Sequence, residues 1–388
     1  MTAIDFANAL VSDVREIYGS DEFIPLHAPR FGDREKFLVE EAIESTFVSS
    51  VGESVIEFEN ALAAYTGAQH AVAVSSGTAA LHVTLVAIGV KPGDEVITTP
   101  LTFVATCNAI SYCGASPVFV DVDKDTLGLS PESFGNFLDE FSEIRDDGHC
   151  WNKFSGRIIK ACLPIHNLGH PARIKEIASL CDDYNILLVE DGAESLGTLF
   201  EGQHACRFGL AGAISFNGNK IITTGGGGAV LTDSEDLAKR VKHLTTTAKK
   251  QHPYLFLHDE VGFNYRLPNL NAALGLAQIE RLDEFVTLKR ALADKYRERS
   301  DRWGEVSFFS EPRGAQSNYW LNALLVPDRY FRDEALNRTN LLRVMTRPMW
   351  TPLHTLPMYK HCQQYQVNNS LDLEERLINL PSSVVDLN

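Results

Sequence analysis

Between residues 71 and 191, short apolar runs alternate with segments of helical period, and this alternation restricts the chain to a layered α/β architecture. The runs AVAVSS (71–76), EVITTP (95–100), PVFVDVD (117–123), RIIKACLPIH (157–166) and ILLVED (186–191) read as buried strands. Segments 78–88, 103–112, 131–141 and 172–184 read as helices, the first closed by Gly89. Strand followed by helix, repeated, predicts a mostly parallel central sheet with helices on both faces. GAISF (212–216) and GAVLT (228–232) add two strands around a glycine run, and helices are expected at 35–44 and 53–65, the latter stopped by Gly67.

Three further segments define the periphery. The polar stretch 142–156 breaks the rhythm and reads as a surface loop. The periodic stretch 270–300 reads as one long helix leading into a smaller C-terminal α+β domain, which holds strand-like SNYWLNALLV (317–326) and Pro-rich RPMWTPLHTLP (347–357). The expected division is an N-terminal arm (1–30), a large domain (31–260) and a small domain (261–388).

Charge excludes one class of function. Lys and Arg total 35 against 51 Asp and Glu, a formal charge of −16, whereas a nucleic-acid binder needs a basic stripe. The seven cysteines form no Cys-x-x-Cys pair and sit largely in apolar runs, which reads as buried free thiols in a reducing, cytoplasmic setting. The N-terminus lacks a signal-peptide core, and no apolar run approaches the roughly 20 residues that span a bilayer.

Three motifs carry chemistry. In Ser75-Ser76-Gly77-Thr78-Ala79-Ala80-Leu81 a strand gives way to a helix, whose free N–H groups favour an anion; an ordinary N-cap explains the same residues. In Val189-Glu190-Asp191-Gly192-Ala193-Glu194-Ser195 two acids end a strand at its carboxyl edge, where open α/β sheets place their ligands. A carboxylate there could hold a cation, a metal or a protonated ring nitrogen, or could cap a loop. No His or further acid at ligand spacing supports a metal, and none is expected. In Ser215-Phe216-Asn217-Gly218-Asn219-Lys220 a lysine stands between a strand and Gly225-Gly226-Gly227-Gly228. A lysine beside a desolvated site can attack a carbonyl, whereas most lysines merely solvate a surface. The conjunction of phosphate cradle, strand-end carboxylate and Schiff-base lysine is the set that pyridoxal 5′-phosphate (PLP) requires.

With these motifs in place, the chain resembles the DegT/DnrJ/EryC1/StrS family of sugar aminotransferases, which are fold-type-I PLP-dependent transferases. The resemblance runs from about Ile24 to Ser383 through SSGTAALH (75–82), KPGDEVITTPLTFVAT (91–106), FVDVD (119–123), EDGAESLG (190–197), SFNGNKIITTGGGG (215–228) and GFNYRLPNLNAALGLAQIERL (262–282). FIPLHAPRFG (23–32), STFVSSVG (45–52) and Asn217 resemble the subgroup serving nonulosonic acids of the legionaminic type. Such enzymes aminate a UDP-2-acetamido-4-keto-2,4,6-trideoxyhexose, with L-glutamate as donor.

The resemblance implies a role for each candidate. Lys220 is the catalytic residue and carries the cofactor; Asp191 pairs with its ring nitrogen; Phe103 stacks on the ring. Gly77, Thr78 and Ser215 hold the phosphate, Glu194 lies near the ring's phenolic oxygen, and Asn264 reaches the phosphate of a neighbouring subunit in a homodimer. Relatives often carry His at the position of Asn217 and Gln or His at that of Glu194. Two rivals exist: a PLP-dependent sugar dehydratase, whose kind typically has His in place of the lysine, and a non-catalytic PLP or sugar-nucleotide sensor, which would need a DNA-binding head or a basic face. His166 and His170 read as structural.

Overall fold

The computed structural model describes residues 1–386. Seven strands build the main sheet: β1 (His70–Val74), β2 (Glu95–Thr98), β3 (Ser116–Val120), β4 (Ile159–Cys162), β5 (Leu187–Asp191), β6 (Ala211–Ser215) and β7 (Gly228–Thr232). Their order is β1-β7-β6-β5-β4-β2-β3, and the short strand Gln364–Tyr365 completes the edge beside β3. Strand β7 is antiparallel to both neighbours, and every pair from β6 to the edge strand is parallel. The mostly parallel sheet expected from the strand–helix rhythm is therefore the one found.

Alternation along the strands sorts side chains to two faces. Val72, Val74, Val189 and Val230 pack with α4 (Gly77–Ala87), α5 (Ala105–Tyr112) and α8 (Glu235–Thr245). Across β1, β6 and β7, Ala71, Ala73, Ile214 and Leu231 point the other way, onto α3 (Glu53–Thr66), α9 (Asn269–Ile279), against which α2 (Asp33–Glu44) packs, and α10 (Leu282–Ser300). Farther along the same sheet, Ile97, Val118 and Leu188 meet α6 (Pro131–Phe141) and α7 (Ile174–Asp183). Helices thus cover both faces, as a parallel sheet requires.

A second sheet, ordered Ser307–Phe308, Asn322–Leu325, Leu377–Leu380, Arg347–Pro348, lies in the C-terminal part. The helix α1 (Ala3–Tyr18) packs Phe6, Leu10 and Val14 against Leu292, Tyr296, Trp303 and Leu324 of that part. Asp13 fastens the contact by accepting from Trp303 Nε1 at 2.9 Å and Arg302 at 2.9 Å. No helix among the described residues is long and apolar enough to cross a membrane.

Three expectations need correction. Segment 142–156 contains a hairpin, Ser142–Ile144 against Cys150–Asn152, in place of a loop. Its polar sequence hides a buried anchor: Asn152 donates to Glu95 at 2.7 Å and to Gln363 at 2.6 Å. The stretch 270–300 is two helices, α9 and α10, broken at Glu280-Arg281. The period could not reveal the break, because Ile279, Leu282 and Phe285 stay buried across it. Only Asn322–Leu325 of 317–326 is a strand; Tyr319 lies at φ 46, a left-handed conformation enforced by Asn318, which accepts from the Trp320 N–H at 2.7 Å.

The fold predicts that α1 is integral to the C-terminal core. Leu10, fully buried, should cost about 2–5 kcal/mol on replacement by Ala, seen as a lower urea midpoint for the phase reporting Trp303 fluorescence.

Candidate active site

The site lies where strand ends meet helix starts. Ser76 caps α4, its hydroxyl accepting from the Ala79 N–H at 3.0 Å, and the Ala80 N–H goes to the Ser76 carbonyl. With the Ala79 N–H capped and the Ala80 N–H in the helix's first backbone bond, the N–H groups of Gly77 and Thr78 in the first turn are left for an anion. Gly77 is required here: a Cβ would lie 2.8 Å from Ser215 Cβ. Gly228 is held by the same crowding, since a Cβ there would lie 2.5 Å from the Ser76 carbonyl carbon. The end of β1, the start of α4 and the end of β6 are thereby pressed together, with Ser215 beside Gly77.

The two acids ending β5 point opposite ways, as successive strand residues must. Asp191 faces the site. Its Oδ2 accepts from Thr106 Oγ1 at 2.8 Å and its Oδ1 from the Ala193 N–H at 3.1 Å. Burial raises its carboxyl above the ordinary range, and the bonds from Thr106 and Ala193 pull it back. Glu190 turns away and is saturated by the N–H groups of Cys206 at 2.9 Å, Phe208 at 2.7 Å and Gly209 at 2.8 Å, and by His166 Nε2 at 3.0 Å. Since His166 Nδ1 accepts from the Ala172 N–H at 3.1 Å, Nε2 carries the proton and His166 is a neutral strut. Buried His170, whose pKa is lowered to about 4 by burial, packs on Phe309 and Tyr319.

Lys220 follows β6 in a turn whose N–H bonds the Asn217 carbonyl at 2.9 Å. Its Nζ stands 3.4 Å from Glu194 Oε1 and 3.9 Å from the centroid of the Trp320 ring. Glu194 is buried, and its other oxygen accepts from the Leu168 N–H at 2.7 Å. Burial pushes its pKa up to about 7 despite the opposing pull of Lys220.

A cavity of about 340 Å³ gathers these groups: Gly77, Thr78, Phe103, Asp191, Glu194, Ser215 and Lys220 all line it. Asn264 does not. It lies in a neighbouring cleft of about 370 Å³ with Ser50, Lys249, Lys250 and Arg266, on a segment bridged to the end of β1. Sequence reasoning missed Thr106, Trp320 and Trp350, which also line the cavity that holds Lys220. Thr106 was visible within the LTFVAT motif as a hydroxyl one helical turn after Thr102, to which it is bonded at 2.9 Å. Nothing local in the sequence marks Trp320. Its place depends on Asn318, which donates to the Glu194 and Leu196 carbonyls at 2.9 and 2.8 Å, and on buried Lys289, which donates to the Trp320 carbonyl at 3.1 Å.

PLP fits this arrangement. The cradle at Gly77 excludes a side chain, as close approach of a phosphate demands. Asp191 is a buried carboxylate that a protonated ring nitrogen would neutralise, and Lys220 lines the same cavity.

The model of the DegT/DnrJ/EryC1/StrS aminotransferase family matches residues 29–385. The chain belongs to this family. Its members are PLP-dependent aminotransferases, so PLP is the cofactor and amine transfer the activity. Similar curated proteins include the GDP-perosamine synthase of Escherichia coli O157:H7, 37% identical over 93% of each chain, and that of Vibrio cholerae, 34% identical over 92% of this chain and 94% of the relative. Among solved structures, the aminotransferase TlmJ of Streptoalloteichus hindustanus superposes with a TM-score of 0.84 at 28% identity, over 93% of each chain. The legionaminic-type likeness is narrower than these findings, since the curated relatives named above are GDP-perosamine synthases.

Burial of Glu194 generates a pH signature. In the apoprotein its carboxyl stays protonated to about 7, against an unfolded value of 4.5. The unfolded chain therefore binds fewer protons between these values, and stability is lost as pH rises from 4.5 through 7. Glu194→Gln should match the wild type in Tm at pH 4.5 and exceed it at pH 8, by an amount on the order of 3 kcal/mol or less in unfolding free energy, measured by thermal and urea unfolding.

Proposed function

We propose that this enzyme transfers the amino group of L-glutamate to the C4 carbonyl of a nucleotide-linked 4-keto-6-deoxy sugar, giving the 4-amino sugar for a surface polysaccharide or nonulosonic acid. The observation that carries the reading is the Lys220 amine seated between Glu194 and Trp320 in the cavity that also holds Asp191 and the α4 N-terminus. The GDP-perosamine synthases among the relatives favour a GDP-linked hexose. The FIPLHAPRFG and STFVSSVG motifs favour the UDP-linked 2-acetamido sugar, which stands as the second reading.

Bound PLP supplies an aldehyde that exchanges amines and a ring that takes up the electrons released at the substrate carbon. Lys220 tethers it and, once released, moves the proton of the amino acid's α-carbon as general base and returns it as general acid. Asp191, fixed by Thr106 and the Ala193 N–H, holds the ring nitrogen in its protonated form. The N–H groups of Gly77 and Thr78, with the Ser215 hydroxyl, bind the phosphate without adding a cation beside Lys220. Phe103 supplies an apolar face for the ring, and Glu194 fixes the Lys220 Nζ between turnovers.

We further infer a homodimer in which Asn264 completes the partner's phosphate site. Support comes from its place in a separate cleft with Ser50 and Arg266 and from the exposed apolar residues Phe47, Val51, Phe256 and Val261 in the segments flanking that cleft. The enzyme works without metal or nucleic acid in this reading.

Lysine at 220 favours transfer over dehydration. Incubation with glutamate and a panel of UDP-, GDP- and dTDP-linked 4-keto sugars should yield an amino sugar by mass spectrometry, with a deoxy ketone as the product that would refute the proposal. Lys220→Ala should lose the long-wavelength absorption of the tethered cofactor and lower turnover by several orders of magnitude.

A further inference from the structure

Two tryptophans line the catalytic cavity, and only one of them is already occupied. Trp320 is buried, its Nε1–H donates to the Asn219 carbonyl at 2.7 Å, and its face receives the Lys220 Nζ. Trp350 is half-buried and packs on Phe103 with ring centroids 6.3 Å apart and planes at 63°. Edge-on packing of this kind sets the rim of one ring on a face of the other, so each ring keeps at least one face outside the contact.

The mount under Trp350 is rigid. Met349 and Leu353 are both buried, and Arg347–Pro348 is paired to Leu377–Leu380. The Leu353 N–H donates to the Pro100 carbonyl at 2.8 Å, which ties this segment to the turn that carries Phe103. Proline at 348 and at 352 further restricts the backbone. A large aromatic held this firmly at the rim of a cavity, beside a ring that is itself 51% exposed, serves recognition better than it serves the core.

We propose that Trp350, propped against Phe103, is the platform on which the hexose ring of the substrate packs, with the amides of Asn217 and Asn219 in the same cavity to meet its polar edge. A pyranose offers an apolar C–H face and a polar rim, and a 6-deoxy sugar adds a methyl group to the apolar side. An aromatic face and a few polar groups in one cavity match that division. The inference rests on the sugar-nucleotide reading and names the residue that reads the sugar.

The test uses the PLP-loaded enzyme and separates its half-reactions. For Trp350→Ala the half-reaction with glutamate, followed by cofactor absorbance in single turnover, should stay within about threefold of wild type, and kcat/KM for the accepted keto sugar should fall about tenfold or more. Trp350→Phe should recover most of the loss, since it restores a ring. Calorimetric titration with the nucleoside diphosphate alone should give the same Kd for wild type and both variants. Equal losses in both half-reactions, no rescue by Phe, or weaker binding of the bare diphosphate would each overturn the platform while leaving aminotransfer intact. If the wild type aminates no keto sugar, the sugar-nucleotide reading falls and the platform falls with it.

Discussion

Removing a carboxylate from water is costly unless it is partnered, and two consecutive acids at the end of β5 set the terms for the rest of the site. Glu190 is answered inside the protein by three backbone N–H groups and the neutral His166. Those bonds lock the 206–209 segment and the His166 loop onto the strand end. Asp191 receives only two donors and remains raised by burial, so it is incomplete without a cation. One acid is spent on rigidity and its neighbour is left for the ligand. The pleat of the strand makes that division possible, since adjacent residues cannot share a face.

The wall opposite this strand end is assembled from distant sequence. Asn318 bonds the Glu194 and Leu196 carbonyls, Tyr319 takes a left-handed conformation, and Trp320 turns its face to Lys220. Strain of this sort costs of order 1–3 kcal/mol and persists only where surrounding bonds over-determine it. Here they do: Lys289 holds the Trp320 carbonyl from behind, and Ser317 Oγ donates to the Gly169 carbonyl at 2.8 Å. The C-terminal part therefore does more than fill space beside the sheet, because it supplies the aromatic ceiling over the Lys220 amine.

What was legible in the sequence follows from range. The strand–helix rhythm and the motifs at 75–81, 189–195 and 215–220 are local, and the cavity draws on all three. The site residues on those motifs converge because a parallel sheet collects its strand ends on one edge. Asn152 and Trp320 were illegible because each acts through partners far away in sequence: Asn152 through Glu95 and Gln363, Trp320 through Asn219 and Lys289. The break between α9 and α10 was illegible for a different reason, since the apolar period runs on through it and only the backbone changes direction.

The same long-range construction leaves a thermodynamic trace. Glu194 beside Lys220 and Lys289 behind Trp320 are buried groups of opposite sign, and burial moves both to about 7, the first upward and the second downward. The penalty for Glu194 grows as pH rises from 4.5 to 7 and is complete above it. The penalty for Lys289 is complete below 7 and is relieved as pH climbs toward its unfolded value of 10.5. Both penalties are therefore nearly full around neutrality. A molecule selected only for stability would bury neither group. Their presence on either side of the Lys220–Trp320 contact places the cost at the wall of the cavity, while the apolar packing of α1 and the sheet faces supplies the compensating stability.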